Sequence, residues 1–301
     1  MTEIRDVPGR DLAVEVGFYS TAGPMTNLDR CPPEAFRGLP RDPVGLCRVV
    51  QGLLMHEEWA TAYGLEISDD RRQDVRLRPA VAMVDAILSR DSSDLAAPRP
   101  PELRMVGNCR HFATLSTALM RRAGISARAR CGFAAYFEAG RMVDHWVTEY
   151  WADERWVRID SQLDGLQKEL THLSFDPSDI PPGNFLPAGE AWGRCRTGDD
   201  DPRRFGIFDM WGLWFIVSNV IRDLAALNKV ELLPWDSWGP MTFRQDPDTQ
   251  RAATIDRVAR TIATGEHTAI TSLYAGGEGL SVPDTVFDGR FAELVTIDLK
   301  E

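Results

Sequence analysis

Between Asn108 and Gly124 the sequence has every mark of one helix, and strand-like segments follow it at once. Asn108 is a favourable N-cap, because its side-chain oxygen can take an N–H that the first turn leaves unpaired. Phe112, Leu115, Leu119 and Ala123 recur at offsets 0, 3, 7 and 11, an apolar stripe on one face. Arg121 and Arg122 stand in the last turn, where the helix dipole favours cations, and Gly124 is a natural stop. Three β-like segments come next: Arg128 to Phe137, Asp144 to Trp151 and Arg155 to Leu163. The last two are separated by the turn signal Ala152-Asp153-Glu154. A helix that must bury its stripe against antiparallel strands predicts an α+β fold.

Around this segment the pattern is mostly helical. Residues 45–63 and 80–89 read as helices, residues 20–45 as loop or short turns, and residues 91–102 as a Pro- and Ser-rich connection. Residues 174–204, with five prolines, read as loop. Residues 207–229 read as a buried helix, 231–245 as an aromatic loop, 249–264 as an amphipathic helix, and 295–299 as a strand. At 301 residues the chain has room for one large domain or two small ones. The expectation is one domain over 1–301. Its core is about 104–165, with a helical N-terminal part (1–103) and a helical and loop C-terminal part (166–301).

The formal net charge is −11 and no basic stripe exists, so neither nucleic acid nor a membrane is an expected partner. The most apolar run, Met210 to Val217, is too short for a bilayer, which needs about 20 residues. The stretch MTEIRDVPGR has no apolar run, so no signal peptide is expected. Five cysteines without a CxxC pair suit free thiols in a reducing cytoplasm. No metal is expected, since Cys109 and His111 lack a second pair at zinc-like spacing, and no cofactor either.

Cys109 falls in the first turn of the 108–124 helix, where unpaired N–H groups and the dipole favour a thiolate. A thiol nucleophile needs an imidazole to take its proton. Of the five histidines, His111 is turned by about 200° from Cys109 on the helix. His145 lies in a strand that should pack on this helix, and is the choice. Register then selects the carboxylate. A turn centred on Asp153-Glu154 pairs Trp151 with Trp156 and Val147 with Asp160, which makes Asp160 the diagonal neighbour of His145. A three-residue turn would put Asp160 on the other face, and a slipped register would favour Asp164.

The stretches GNCRHFATLSTALMRRAGISARARCGF, DHWVTEYW and RWVRIDSQLD together resemble the transglutaminase-like superfamily. In that family the nucleophilic Cys opens a helix, a strand brings the His, and the next strand ends in the Asp. Cys109, His145 and Asp160 match one by one. The resemblance covers roughly residues 104–165. It implies a papain-related fold, a thioester intermediate, and transfer of an acyl group to an amine or to water. It also implies an oxyanion hole made by the Cys109 N–H and a second donor, for which Gln51 and Trp59 are candidates.

The expected substrate is a small-molecule, peptide or carrier-tethered acyl or amide compound, with Gln51, Trp59, Asn108, Trp146 and Trp235 as candidate contacts. A lone strand His or a buried Cys is more often structural, and a non-catalytic binding protein would show a blocked cleft or a Cys109 buried away from His145. His56 and Glu57 could line the cleft, although the polar face of a surface helix explains them as well. Trp192, Trp211, Trp214, Trp235 and Trp238 suit a core better than a substrate platform, with loop residue Trp235 the one best placed to touch ligand.

Overall fold

A computed structural model describes residues 12–299. The MTEIRDVPGR stretch lies outside the described residues. The N-terminal half carries α1 (Leu12–Tyr19), α2 (Pro43–Leu53), β1 (Leu54–His56), α3 (Asp69–Arg72), α4 (Ala80–Arg90), β2 (Met105–Gly107) and α5 (Cys109–Arg122). The helix expected over 45–63 therefore stops ten residues early. Asp42 caps α2 through the Gly45 N–H and Pro43 opens it, but at Leu54 the chain turns extended. Residues 54–56 pair in parallel with 105–107, a partner some fifty positions away that helical periodicity cannot reveal. A 3-10 segment, Glu57–Tyr63, follows and closes on Gly64 in the left-handed region.

Helix α5 starts where the cap residue predicts. Asn108 Oδ1 takes the Arg110 N–H at 3.1 Å, and His111 Nδ1 takes the Asn108 N–H at 3.1 Å, so the two side chains satisfy the first turn reciprocally. Every residue from Cys109 to Arg121 is buried. This helix is central, not a surface helix with one wet face.

The remainder comprises β3 (Ala127–Ala134), β4 (Met142–Ala152), β5 (Arg155–Ile159), α6 (Gly165–Leu170), β6 (Phe185–Pro187), α7 (Ala188–Thr197), β7 (Phe205–Ile207), β8 (Met210–Trp211) and α8 (Leu213–Leu227). Then come β9 (Asp236–Ser237), α9 (Thr249–Thr264), α10 (His267–Ala275), β10 (Thr285–Asp288) and β11 (Glu293–Thr296). The fold is α+β. The main sheet runs β6-β3-β4-β7-β8, with β5 paired to β4. Asp153 and Glu154 both have positive φ (50° and 60°), the two-residue hairpin geometry that matches strand twist. Trp151 pairs with Trp156, so the register is the one the turn signal predicted.

Two features of β4 locate the site. Its inner edge is paired with β3 along Val143–Tyr150. Its outer edge is covered by β5 from Thr148 and by β7 at Met142 and Val143. Residues 144–147 lie in the gap between them. Register is also pinned by charge: Glu149 sits between Arg128 on β3 (2.8 Å) and Arg158 on β5 (2.8 Å), with Arg130 at 3.1 Å. This ladder stitches three strands together, and a one-residue slip would bury unpaired charges.

Apolar side chains gather in two main cores, one around α2, α4 and α5 and the other around α7 to α10. The 174–204 region was expected to be loop, yet it holds β6 and α7. Four of its five prolines precede the helix, the last of them Pro187 immediately before it, and Gly189 weakens the local helix signal for a packing reason. A Cβ there would lie 2.7 Å from the Ile262 side chain of α9. The helix expected over 207–229 begins only at Leu213, because residues 205–211 form a small hairpin, and the strand expected at 295–299 is Glu293–Thr296. Among the described residues no helix is long and apolar enough to cross a membrane.

Candidate active site

Three elements converge where β4 is uncovered. Helix α5 begins at Cys109, which packs against Trp146 and whose thiol is electrostatically favoured as an anion by the nearby backbone N–H groups of Trp146 and Arg110. The sulfur thus lies against the residue that follows His145. His145 Nε2 is 2.8 Å from Asp160 Oδ2. Asp160 comes directly after β5 and also accepts from Tyr136 O–H (2.7 Å) and Gln162 N–H (2.9 Å). The imidazole is held edge-on by Phe137 (4.9 Å between ring centres) and Tyr136 (5.8 Å). With Nε2 committed to the carboxylate, Nδ1 is the nitrogen that can exchange a proton with a thiol.

The electrostatics differ from the sequence expectation in one respect. Burial pushes the Cys109 thiol well above its ordinary range, and the Asp144 carboxylate adds to this. The two N–H groups lower it but do not win. A helix start therefore does not by itself yield a resting thiolate here, because Cys109 is only 6 % exposed and desolvation outweighs the dipole. Such a thiol is activated by handing its proton to a base during attack. Burial also pushes Asp160 up, yet His145, Tyr136 and the Gln162 N–H together hold it below the usual carboxylate range. Asp144 is raised by burial against the opposing pull of Arg222 and of Asn219, whose amide donates to it at 2.7 Å.

A cleft of about 630 Å³ opens onto Cys109. His56, Asn108, Cys109 and Asp144 are among its lining residues, and Trp214, Phe215, Trp235 and Met241 supply apolar wall. Phe208, Phe243 and Phe287 also line it and are 63 %, 70 % and 43 % exposed, an aromatic rim. Arg290 spans Glu57 through two 2.7 Å bonds at the same cleft and lies over the Trp235 ring. Of Cys109, His145 and Asp160, Cys109 lines this cleft, while His145 and Asp160 lie outside its lining; a second hollow of about 770 Å³ involves residues of α7 and α9 and is lined by none of the three. Three of its four arginines, Arg130, Arg158 and Arg196, are already paired, with Glu149, Asp223 and Asp256. Chemistry therefore points to the smaller cleft.

Of the expected contact residues, Asn108 and Trp235 line the cleft. Trp146 does not: its ring is buried with Ala113, Ala129 and Cys131, and what it brings to the site is its backbone N–H. Gln51 and Trp59 are corrected as well. Gln51 donates to Leu163 O at 3.1 Å, and neither residue lines the cleft. Both were placed on one continuous helix with His56, and the break at Leu54 separates them. Asp164 caps α6 and accepts from Tyr63, away from the imidazole. His111 is spent on the cap of α5. Trp214 lines the cleft, whereas Trp192 and Trp238 are buried in the core.

Tyr136, Phe137, Asp144 and Glu149 went unnoticed in the sequence. The Tyr-Phe pair at the end of a strand was a visible signal of ring packing, but its partner His145 is set by the fold. Asp144 was visible only as the neighbour of His145.

Residues 91–161, which include Cys109, His145 and Asp160, match the family model of the transglutaminase-like superfamily. Among solved structures the chain is similar to red sea bream transglutaminase, with 16 % identity and a TM-score of 0.29. That likeness covers 42 % of this chain and 22 % of the other. It is also similar to "a Putative Cysteine Protease from Cytophaga hutchinsonii", with 16 % identity and a TM-score of 0.21. Here 55 % of this chain and 51 % of the other are covered, so the chain spans about half or less of either protein. No curated protein matches the sequence significantly.

Proposed function

Residues 91–161 place this chain in the transglutaminase-like superfamily, whose members are usually cysteine enzymes, and on that premise we propose that it is a cysteine-dependent acyl-transfer or amide-processing enzyme. Cys109 attacks the carbonyl carbon of an amide, ester or thioester. Its proton passes to His145 Nδ1 as the S–C bond forms. The leaving group departs with that proton, leaving a thioester on Cys109. An amine or a water molecule then gives a proton back to His145, attacks the thioester, and releases the sulfur. Asp160 keeps the imidazole in the tautomer with Nε2–H and stabilises the imidazolium.

One observation carries this reading: the 2.8 Å contact of His145 Nε2 with Asp160 sits in the uncovered stretch of β4 whose next residue, Trp146, packs against Cys109. Cys109 lines an apolar cleft, unlike the blocked cleft of a non-catalytic relative. The apolar wall favours a small-molecule or carrier-tethered substrate whose acyl part is aliphatic or aromatic. In this reading the segments before and after the core elaborate one domain and roof the cleft. The five free cysteines suit the cytoplasm. No nucleic acid or membrane partner is invoked.

The test is acylation by p-nitrophenyl esters, followed by intact-mass measurement. A transient acyl adduct on Cys109, absent from Cys109→Ala, is the expected result. An added primary amine that is itself acylated identifies a transferase. Turnover indifferent to amine identifies a hydrolase, the alternative with water as acceptor. Turnover that survives Cys109→Ala, or a wild type that never forms the adduct, would refute the thioester.

A further inference from the structure

Strands β1 and β2 run parallel with His56 opposite Gly107. Both therefore deliver their C-terminal ends to the same place: β2 continues into Asn108 and Cys109, and β1 ends at His56. His56, Asn108 and Cys109 line the same cleft. The His56 ring is stacked on Phe112 of α5, 6.5 Å between ring centres and 22° from coplanar. Its Nδ1 accepts the Glu58 N–H at 3.2 Å. A nitrogen that accepts an N–H carries no proton, so the neutral ring must bear its hydrogen on Nε2. Among the described residues nothing accepts from Nε2. Two other donors beside Cys109 are no substitutes. Asn108 Nδ2 and Trp146 Nε1 lack partners too, but both are sealed from solvent, whereas His56 Nε2 is not among the sealed atoms. The Cys109 N–H is also free. The Asn108 cap takes the Arg110 N–H and the Asn108 N–H goes to His111, and no acceptor for Cys109 is found among the described residues.

On the reading of Cys109 as the acylated nucleophile, we propose that His56 is a catalytic residue whose Nε2–H, with the Cys109 N–H, binds the oxyanion of the tetrahedral intermediate. As sulfur attacks, the carbonyl π pair moves onto oxygen and is met by these two donors. As the intermediate collapses the pair returns, and the leaving group takes its proton from His145. His56 transfers no proton. Burial pushes its imidazole down to about 3, with the His145 ring adding to the effect, so it stays a neutral donor across the working pH range. The two histidines are thus locked in opposite senses. His145 has Nε2 committed to Asp160 and Nδ1 left for proton transfer, and His56 has Nδ1 committed to Glu58 and Nε2 left to donate.

Two reactions of the same sulfur separate this role from a structural one. Alkylation by iodoacetamide displaces iodide at a tetrahedral carbon and forms no oxyanion. Acylation by p-nitrophenyl acetate passes through one. In His56→Ala the acylation rate should fall by about 10²–10³, the usual loss on removing one such donor, while alkylation of Cys109 stays unchanged. His56→Gln keeps an N–H of similar reach and should recover part of the acylation rate. It also stands in if the alanine variant folds poorly. Acylation and alkylation falling together would make His56 a structural residue, and neither falling would remove it from the site; either result overturns the assignment while leaving the thiol chemistry intact. A wild type that is alkylated but never acylated at Cys109 sinks the thioester itself and the His56 role with it.

Discussion

Replacing Asp160 by Asn keeps the size of the side chain and removes one acceptor. The oxygen that takes the Gln162 N–H (2.9 Å) can stay where it is. The other oxygen, which receives His145 Nε2 at 2.8 Å and Tyr136 O–H at 2.7 Å, becomes an NH2 group. That group donates to Nε2, which moves the ring proton onto Nδ1, the nitrogen needed to accept from sulfur. The lost interaction is a hydrogen bond to a charged partner in a buried site, worth about 1.5–3 kcal/mol. At about 1.4 kcal/mol per factor of ten, deprotonation of Cys109 through His145 becomes about 10–150-fold less favourable. Burial holds the thiol proton tightly, so this loss passes directly into reactivity. The assay is the rate of iodoacetamide alkylation at neutral pH, resolved by peptide mass spectrometry. Cys195 is partly exposed and far along the chain, and its labelling serves as an internal reference that should not change. An Asp160→Asn variant whose Cys109 reacts as fast as wild type would mean that the carboxylate does not set the protonation of His145, and the mechanism built on it would fall.

Glu149→Gln removes the carboxylate shared by Arg128, Arg130 and Arg158 and should cost about 3–5 kcal/mol in urea unfolding at neutral pH. Burial alone would raise Glu149, but the three guanidiniums hold it well below the usual range. Its stabilisation is therefore full above about pH 4.3, the unfolded value, and is lost as pH falls through the lower folded value. The substituted protein should lack that acid limb; an identical acid-unfolding curve would count against the ladder. Gly132→Ala places a Cβ 2.2 Å from Leu186 O, directly opposite His145 in the register, so β6 must move away. A loss of about 1–3 kcal/mol with slower Cys109 alkylation is expected, and wild-type stability would refute the role of the close β3–β6 approach in holding His145 in place. Phe243→Ser at the cleft rim should leave unfolding and alkylation unchanged but slow acylation by bulky aryl esters relative to acetate; equal effects on both esters would mean the rim does not touch the acyl group.

Local chemistry wrote the centre of this molecule into its sequence. The Asn108 cap, the stripe at Phe112, Leu115 and Leu119, and the Asp153-Glu154 turn are short-range signals, each completed within a few residues. Because side chains alternate along strands, the hairpin register was enough to bring Asp160 to His145. Wherever the partner is distant, such reading fails. Residues 54–56 look helical until Met105–Gly107 satisfies their backbone, and α7 looks like loop until α9 packs against Gly189. His56 could not be told from a surface residue for the same reason. The protonation of Cys109 was likewise a tertiary decision: the helix start was legible, but how deeply the fold would bury the sulfur was not, and burial wins over a dipole where water is excluded.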